Sequence, residues 1–127
     1  MGDVPEDLRY TAEHEWVKDE GDEVSIGITD FAQNALTEVV WVELPDVGTV
    51  VELMESFASV ESVKSVSEIY APVAGTVSEV NGSLEDAPEK INQDPYGSGW
   101  ICRIKTQNGF DASELLDAAS YSELIGE

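Results

Sequence analysis

The segment VGTVVELMES, starting at Val47, is echoed by AGTVSEVNGS, starting at Ala74, and both are built around Gly-Thr-Val. Two copies of one short pattern this close together constrain the fold more than any other feature of the chain. Each copy reads as a strand beside a turn. Between them lie SFASVES and SEIYAPV, two β-rich runs separated only by Val63-Lys64-Ser65, a stretch short enough for a hairpin tip. The segment predicts two strand–turn units related by an approximate two-fold axis, with Lys64 near the turn that joins the inner strands.

The rest of the chain is punctuated in the same way. EWVKDEGDEVSIGIT predicts strands over Glu15–Lys18 and Glu23–Thr29, joined by an acidic turn around Gly21. Asp30 stands three residues before Gln33, a capping-box spacing that opens a short helix ending near Leu36. TEVVWVEL is a β-rich run stopped by Pro45. SLEDAPEKINQDPYGSG, with its Pro and Gly pairs, predicts an irregular wrap holding one or two helical turns. WICRIK returns as a strand. The C-terminus reads as helical, with capping-box spacing at Asp111 and Glu114 and again at Ser120 and Glu123. No linker interrupts the 127 residues, so residues 1–127 are read as a single domain. Many short strands, frequent turns and small helices at the edges predict a mostly β protein, a sandwich or flattened barrel.

Charge narrows the classes of function. The chain has 27 acidic residues against 6 basic ones, a formal net charge of −21. Phosphate backbones and anionic lipid repel such a chain, which disfavours nucleic-acid and membrane-surface roles. The acids are dispersed rather than clustered. Dispersion points to a halophilic cytoplasm, where salt screens the self-repulsion, more than to one basic partner. MGDVPEDLRY has neither the basic start nor the apolar stretch of a signal peptide, and no run reaches membrane-spanning length. A cytoplasmic location is expected. The single cysteine, Cys102, can form neither an intrachain disulfide nor a zinc cluster and reads as a small buried hydrophobe. Any sulfur chemistry would have to be brought in from outside. GITDFAQ and YGSGW match no nucleotide-binding loop, and DVGTV and NQDPYG lack the ordered oxygen ligands of a calcium loop, so no metal site is expected.

Lys64 is the only basic residue between Asp19 and Glu89. An exposed lysine ordinarily serves to blunt a strand edge and keep it soluble, but here the acids already supply solubility. A Schiff-base lysine needs a desolvated pocket or a cationic neighbour, whereas Glu61 and Glu68, close in sequence, favour the charged form. Covalent attachment remains. The ε-amine forms a stable amide with a carboxylic acid, and a hairpin tip offers it on a stiff base with the acyl chain free to swing.

YTAEHEWV, IGITDFAQNAL, VELPDVG, ESVKSVSEIYAPVAGTVSEVN, DPYGSGWICRIK and LLDAASYSELI, in this order, resemble the glycine cleavage system H protein family from about Leu8 to Ile125. Biotin-carrying relatives place Met on both sides of the lysine, and lipoyl domains of 2-oxoacid dehydrogenases usually carry Asp-Lys-Ala. Val63-Lys64-Ser65 fits neither. The resemblance implies a barrel-sandwich hybrid of the lipoyl/biotinyl type with short added helices, one of them C-terminal. It also implies lipoate on Lys64 and a carrier that catalyses no step. Such a carrier takes an aminomethyl group from a pyridoxal-phosphate-dependent glycine decarboxylase to a tetrahydrofolate-dependent aminomethyltransferase. Its dithiol then goes to an FAD-dependent dihydrolipoyl dehydrogenase. A lipoate-attaching enzyme is a further implied partner, and a monomer is expected.

The resemblance further implies that the loaded arm folds back against the protein, where carboxylates would suit its ammonium group. By motif position the candidates are Glu13, Glu15 of HEW and Glu68 of SEIY, although in so acidic a chain any carboxylate can simply solvate the surface. His14, a lone histidine beside a Trp, reads as structural. Some family members carry a His near the position of Ala35. Two other functions stay open: an H-like lipoyl carrier or relay serving another lipoate-dependent complex, and an unmodified acidic binding module.

Overall fold

The computed structural model describes residues 4–106 and 115–126. In chain order its elements are β1 (Arg9–Tyr10), β2 (Glu15–Asp19), β3 (Glu23–Ile28), α1 (Asp30–Leu36), β4 (Val39–Glu43), β5 (Val50–Val51) and β6 (Ser56–Ser62). There follow β7 (Val66–Tyr70), β8 (Gly75–Val80), α2 (Ser83–Asp86), α3 (Lys90–Gln93), β9 (Cys102–Thr106) and α4 (Ala118–Leu124). The strands form two sheets, one ordered β1-β2-β3-β9-β8-β5 and the other β4-β6-β7. All pairings are antiparallel. A mostly β protein of two sheets with short helices is the architecture expected.

The Gly-Thr-Val copies pair with each other. Val50 lies opposite Thr76 and Val51 opposite Gly75, Gly48 N donates to Val77 O, and Val77 N donates to Thr49 O, both at 2.8 Å. The ladder resumes with Ser59 opposite Glu68, Val60 opposite Ser67 and Glu61 opposite Val66. One long antiparallel excursion therefore leaves the larger sheet, enters the smaller one and comes back, with Lys64 at its far end. Antiparallel pairing is itself two-fold symmetric, which is the origin of the repeat's symmetry.

Between the sheets, strand alternation builds the core. In β9, Cys102, Ile104 and Thr106 are buried while Lys105 is exposed; Val17, Ile26, Val60, Ile69 and Val77 join the same cluster. Burial pushes the Cys102 thiol up to about 12, so it is chemically quiet at neutral pH. A second cluster, Leu8, Tyr10, Trp16 and Tyr121, fastens the N-terminal strand to α4. Within it the Tyr10 and Tyr121 rings stack at 4.7 Å.

Two helix caps differ from the sequence expectation. Thr29, not Asp30, caps α1, its hydroxyl accepting from Ala32 N at 3.2 Å, and Asp30 becomes the first helical residue. Likewise α4 is capped by Asp117, which accepts from Ser120 N at 2.8 Å, so Ser120 lies inside the helix. In both cases a competing cap residue earlier in the chain starts the helix sooner. Strand β1 was not expected, and β7 ends at Tyr70, before Pro72. The Asp111–Glu114 spacing lies outside the described residues.

Trp16 lies opposite Gly27, and its ring is held by a 2.8 Å hydrogen bond from Nε1 to Pro95 O. A Cβ on Gly27 would sit 2.6 Å from that ring, whereas one on Gly82 would meet open space. Gly27→Ala should therefore lower unfolding free energy by about 1–3 kcal/mol. Gly82→Ala should stay within about 0.5 kcal/mol of wild type. Denaturant midpoints at constant slope measure both.

Candidate functional site

At the hairpin tip, one buried hydroxyl organises the turn. Ser62 Oγ accepts from Lys64 N at 3.1 Å and from Ser65 N at 3.0 Å, and donates to Ser65 O at 3.1 Å. Ser62 N also donates to Ser65 O at 2.8 Å, and Val63 N ties the tip to Glu38 O at 3.1 Å. Lys64 is exposed. The ion pair found among the described residues, between Arg103 and Glu79, does not involve it. A stiff base with a free amine is the geometry that attachment requires. Ser62 escaped the reading of the sequence, although a Ser at the mouth of a three-residue tip is the ordinary signature of a side-chain-closed turn.

Immediately beside the tip lies a cleft of about 260 Å³. It is lined by the strand descending from Lys64 (Ser65–Glu68), by Phe31, Ala32 and Ala35 of α1, and by the turn Glu13–Glu15. The three candidate carboxylates are thus brought together, although they are far from equivalent. Glu13 is exposed. Glu68 is exposed as well and accepts a hydrogen bond from the Ser56 hydroxyl. Glu15 is only 1% exposed. Its Oε1 accepts from Thr11 Oγ1 at 2.6 Å and its Oε2 from Tyr70 N at 3.1 Å. Burial pushes its carboxyl up to about 7 against the pull of those two hydrogen bonds, and Glu13 adds a smaller upward push.

His14 is built into the framework of the cleft. It has a φ of 73°, a left-handed conformation in the tight turn from Thr11 to Glu15. Its Nδ1 is 2.8 Å from the Tyr121 hydroxyl, which is 2.7 Å from Thr29 Oγ1, and its ring packs 4.9 Å from that of Phe31. Turn, α1 and α4 therefore meet at one hydroxyl. Burial lowers the pKa of His14 despite the Glu13 charge, which favours the neutral ring. Thr29 and Tyr121 were missed as supports of the site because their partners lie on other elements, and Thr11 was missed although Glu15, which it bonds, is only four residues on.

Chemically, this is an acidic recess beside an accessible amine, suited to receiving a cationic group held on a tether. The family model described as Glycine cleavage H-protein matches residues 8–127. The glycine cleavage system H protein of Thermus thermophilus is 58% identical over 123 residues, covering 97% of this chain and 96% of its own. That of Staphylococcus carnosus is 53% identical over 124 residues, covering 98% of each. Among solved structures, a glycine cleavage system H protein from Mycobacterium marinum superposes with a TM-score of 0.88 at 40% identity, covering 98% of this chain and 100% of that one.

Proposed function

The chain belongs to the glycine cleavage H-protein family, and we propose on that footing that Lys64 is its lipoyl-attachment residue. The protein is a lipoyl carrier of the glycine cleavage system and catalyses no step itself. The observation that carries the attachment proposal is the Ser62 clasp, which holds the one basic residue between Asp19 and Glu89 at an exposed tip. When bound, the lipoyl group supplies the thiol and disulfide chemistry that buried Cys102 cannot. Lys64 holds it. Ser65 to Glu68 and the Glu13–Glu15 turn border the recess into which its end can fold, and Glu13, Glu15 and Glu68 favour a cation there.

Its partners are the other proteins of the glycine cleavage system. In our proposal these are a pyridoxal-phosphate-dependent decarboxylase, a tetrahydrofolate-dependent aminomethyltransferase and an FAD-dependent dihydrolipoyl dehydrogenase, with a lipoate-attaching enzyme acting beforehand. The carrier works as a monomer and as one domain in the cytoplasm. No helix among the described residues is long and apolar enough to cross a membrane. Peptide mapping of protein purified from its native cells should find a lipoyl amide on Lys64 and on no other lysine. An unmodified mass, or acylation elsewhere, would count against it. Glycine oxidation by the lipoylated protein with the three partner enzymes, and no support of a 2-oxoacid dehydrogenase, separates this role from a relay serving another complex.

Charge alone supports a high-salt habitat, which we retain as a proposal. The described residues contain a single ion pair, Arg103–Glu79 at 2.8 Å, to set against a net charge of −21. Repulsion within the fold therefore depends on screening by salt, whose range shrinks from about 30 Å at 0.01 M to about 3 Å at 1 M. The thermal midpoint should fall as salt is diluted from molar to millimolar. A flat or rising midpoint would contradict it.

A further inference from the structure

We propose that the outer face of the β4-β6-β7 sheet, next to Lys64, is the surface on which the lipoate-attaching enzyme docks, an inference that rests on Lys64 being the attachment residue. The register of the three strands places Trp41, Glu61 and Val66 in one row. A bulge between Val39 and Trp41 breaks the alternation of β4. Val39 and Val42 stay in the core, while Val40 and Trp41 are 42% and 49% exposed. Val63 at the tip is 67% exposed and Val66 60%. Four large apolar side chains thus lie exposed on the sheet and tip that carry the only lysine of the region. A half-exposed Trp on an edge strand invites association and contributes little to the core.

Reach identifies the occupant. Acyl transfer needs the Lys64 amine within about 3–3.5 Å of the activated carbonyl carbon, so the attaching enzyme must enclose the tip and the residues around it. Enzymes that act on the finished group meet it at the far end of its acyl chain and can stand off. Charge describes the complementary surface. Glu38, Glu43, Glu61 and Glu68 are all exposed. Glu43 and Glu68 share a row with Ser59, two rows from that of Trp41 and Val66, and the Glu38 carbonyl holds Val63. The facing site is therefore an apolar recess with a rim of Lys and Arg. A second copy of this chain, equally acidic, is repelled.

The test uses the full-length unmodified protein, a purified lipoate–protein ligase, ATP and free lipoate. Trp41→Gln should lower kcat/KM for acylation at least about tenfold, mainly through KM, as loss of a central aromatic anchor does. Val66→Thr, which keeps the β-branched shape on an exposed strand position, should lower it severalfold. Glu61→Lys should slow acylation more at low salt than at high salt. Leu124→Ser, an exposed change on α4, should leave it unchanged. Once fully lipoylated by long incubation, Trp41→Gln should be reoxidised by dihydrolipoyl dehydrogenase within about twofold of wild type. Acylation of Trp41→Gln and Val66→Thr at the wild-type rate would overturn the docking surface. So would a wild-type dimer that Trp41→Gln dissociates. A wild type that is not acylated at Lys64 would instead overturn the attachment beneath it.

Discussion

Lys64→Arg should fold as the wild type does, carry no lipoyl group and support no glycine cleavage. A guanidinium stays protonated at any pH the protein would meet and is not a nucleophile toward an activated acyl group. The substitution keeps the charge at an exposed tip. The turn is held by backbone N–H groups on the Ser62 hydroxyl, which do not depend on the side chain of residue 64. Stability should change by no more than about 0.5 kcal/mol. Intact mass after incubation with the attaching enzyme, together with glycine decarboxylation in the reconstituted system, measures the effect. It should be a loss to background. A lipoyl group still present on Lys64→Arg would move the attachment to Lys18, Lys90 or Lys105 and remove the function assigned to the hairpin.

Glu15→Gln has the next largest expected effect, and it shows in two independent measurements. The first is stability against pH. Glu15 is driven from 4.5 when unfolded to about 7 when folded. The folded state binds the extra proton between those values, so this group's stabilising contribution is complete below about pH 4.5 and is lost as pH rises through about 7. Protonated Glu15 keeps one oxygen for Tyr70 N and a donor for Thr11, which Gln can reproduce. The variant should therefore match wild type near pH 4.5 and exceed it by about 3 kcal/mol above pH 8, an order-of-magnitude figure from 1.36 kcal/mol per pKa unit. Every other acid titrates in both proteins, so the difference isolates Glu15. Identical pH profiles would mean that folding leaves the affinity of the carboxyl for its proton unchanged.

The second measurement concerns the cargo. A cation entering the cleft pulls the Glu15 carboxyl back toward ionisation, and the charge-assisted contact so made is worth roughly 1.5–3 kcal/mol. At about 1.4 kcal/mol per decade of rate, Glu15→Gln should release formaldehyde and ammonia about tenfold faster from the aminomethylated protein with no partner enzyme present. Lowering the pH should reduce protection more in wild type than in the variant, which keeps only Glu13 and Glu68 at the cleft. Equal release rates at fixed salt would transfer the protective role to Glu13, Glu68 or backbone groups, while leaving the pH–stability result intact.

What the chain alone determined is what depends on neighbours in sequence. The limits of β6 follow from SFASVES, the tip from Val63-Lys64-Ser65, and the isolation of Lys64 from a simple scan for basic residues. Alternation and turn residues act over a few positions, and the Gly-Thr-Val copies meet because an antiparallel hairpin brings equidistant residues together. Tertiary structure decided the rest. Glu15, Glu13 and Glu68 look alike in the sequence, yet only Glu15 is buried, because β7 closes over it and Tyr70 supplies an N–H from 55 residues away. His14 and Thr29 share the Tyr121 hydroxyl across 107 and 92 residues, a contact that no local pattern encodes. Val40 and Trp41 are both exposed because a bulge, set by pairing with β6, breaks an alternation that would otherwise bury one of them. Desolvation and strand register belong to the assembled sheets, which is why the lysine could be read from its own segment while the burial that sets Glu15 apart from Glu13 and Glu68 could not.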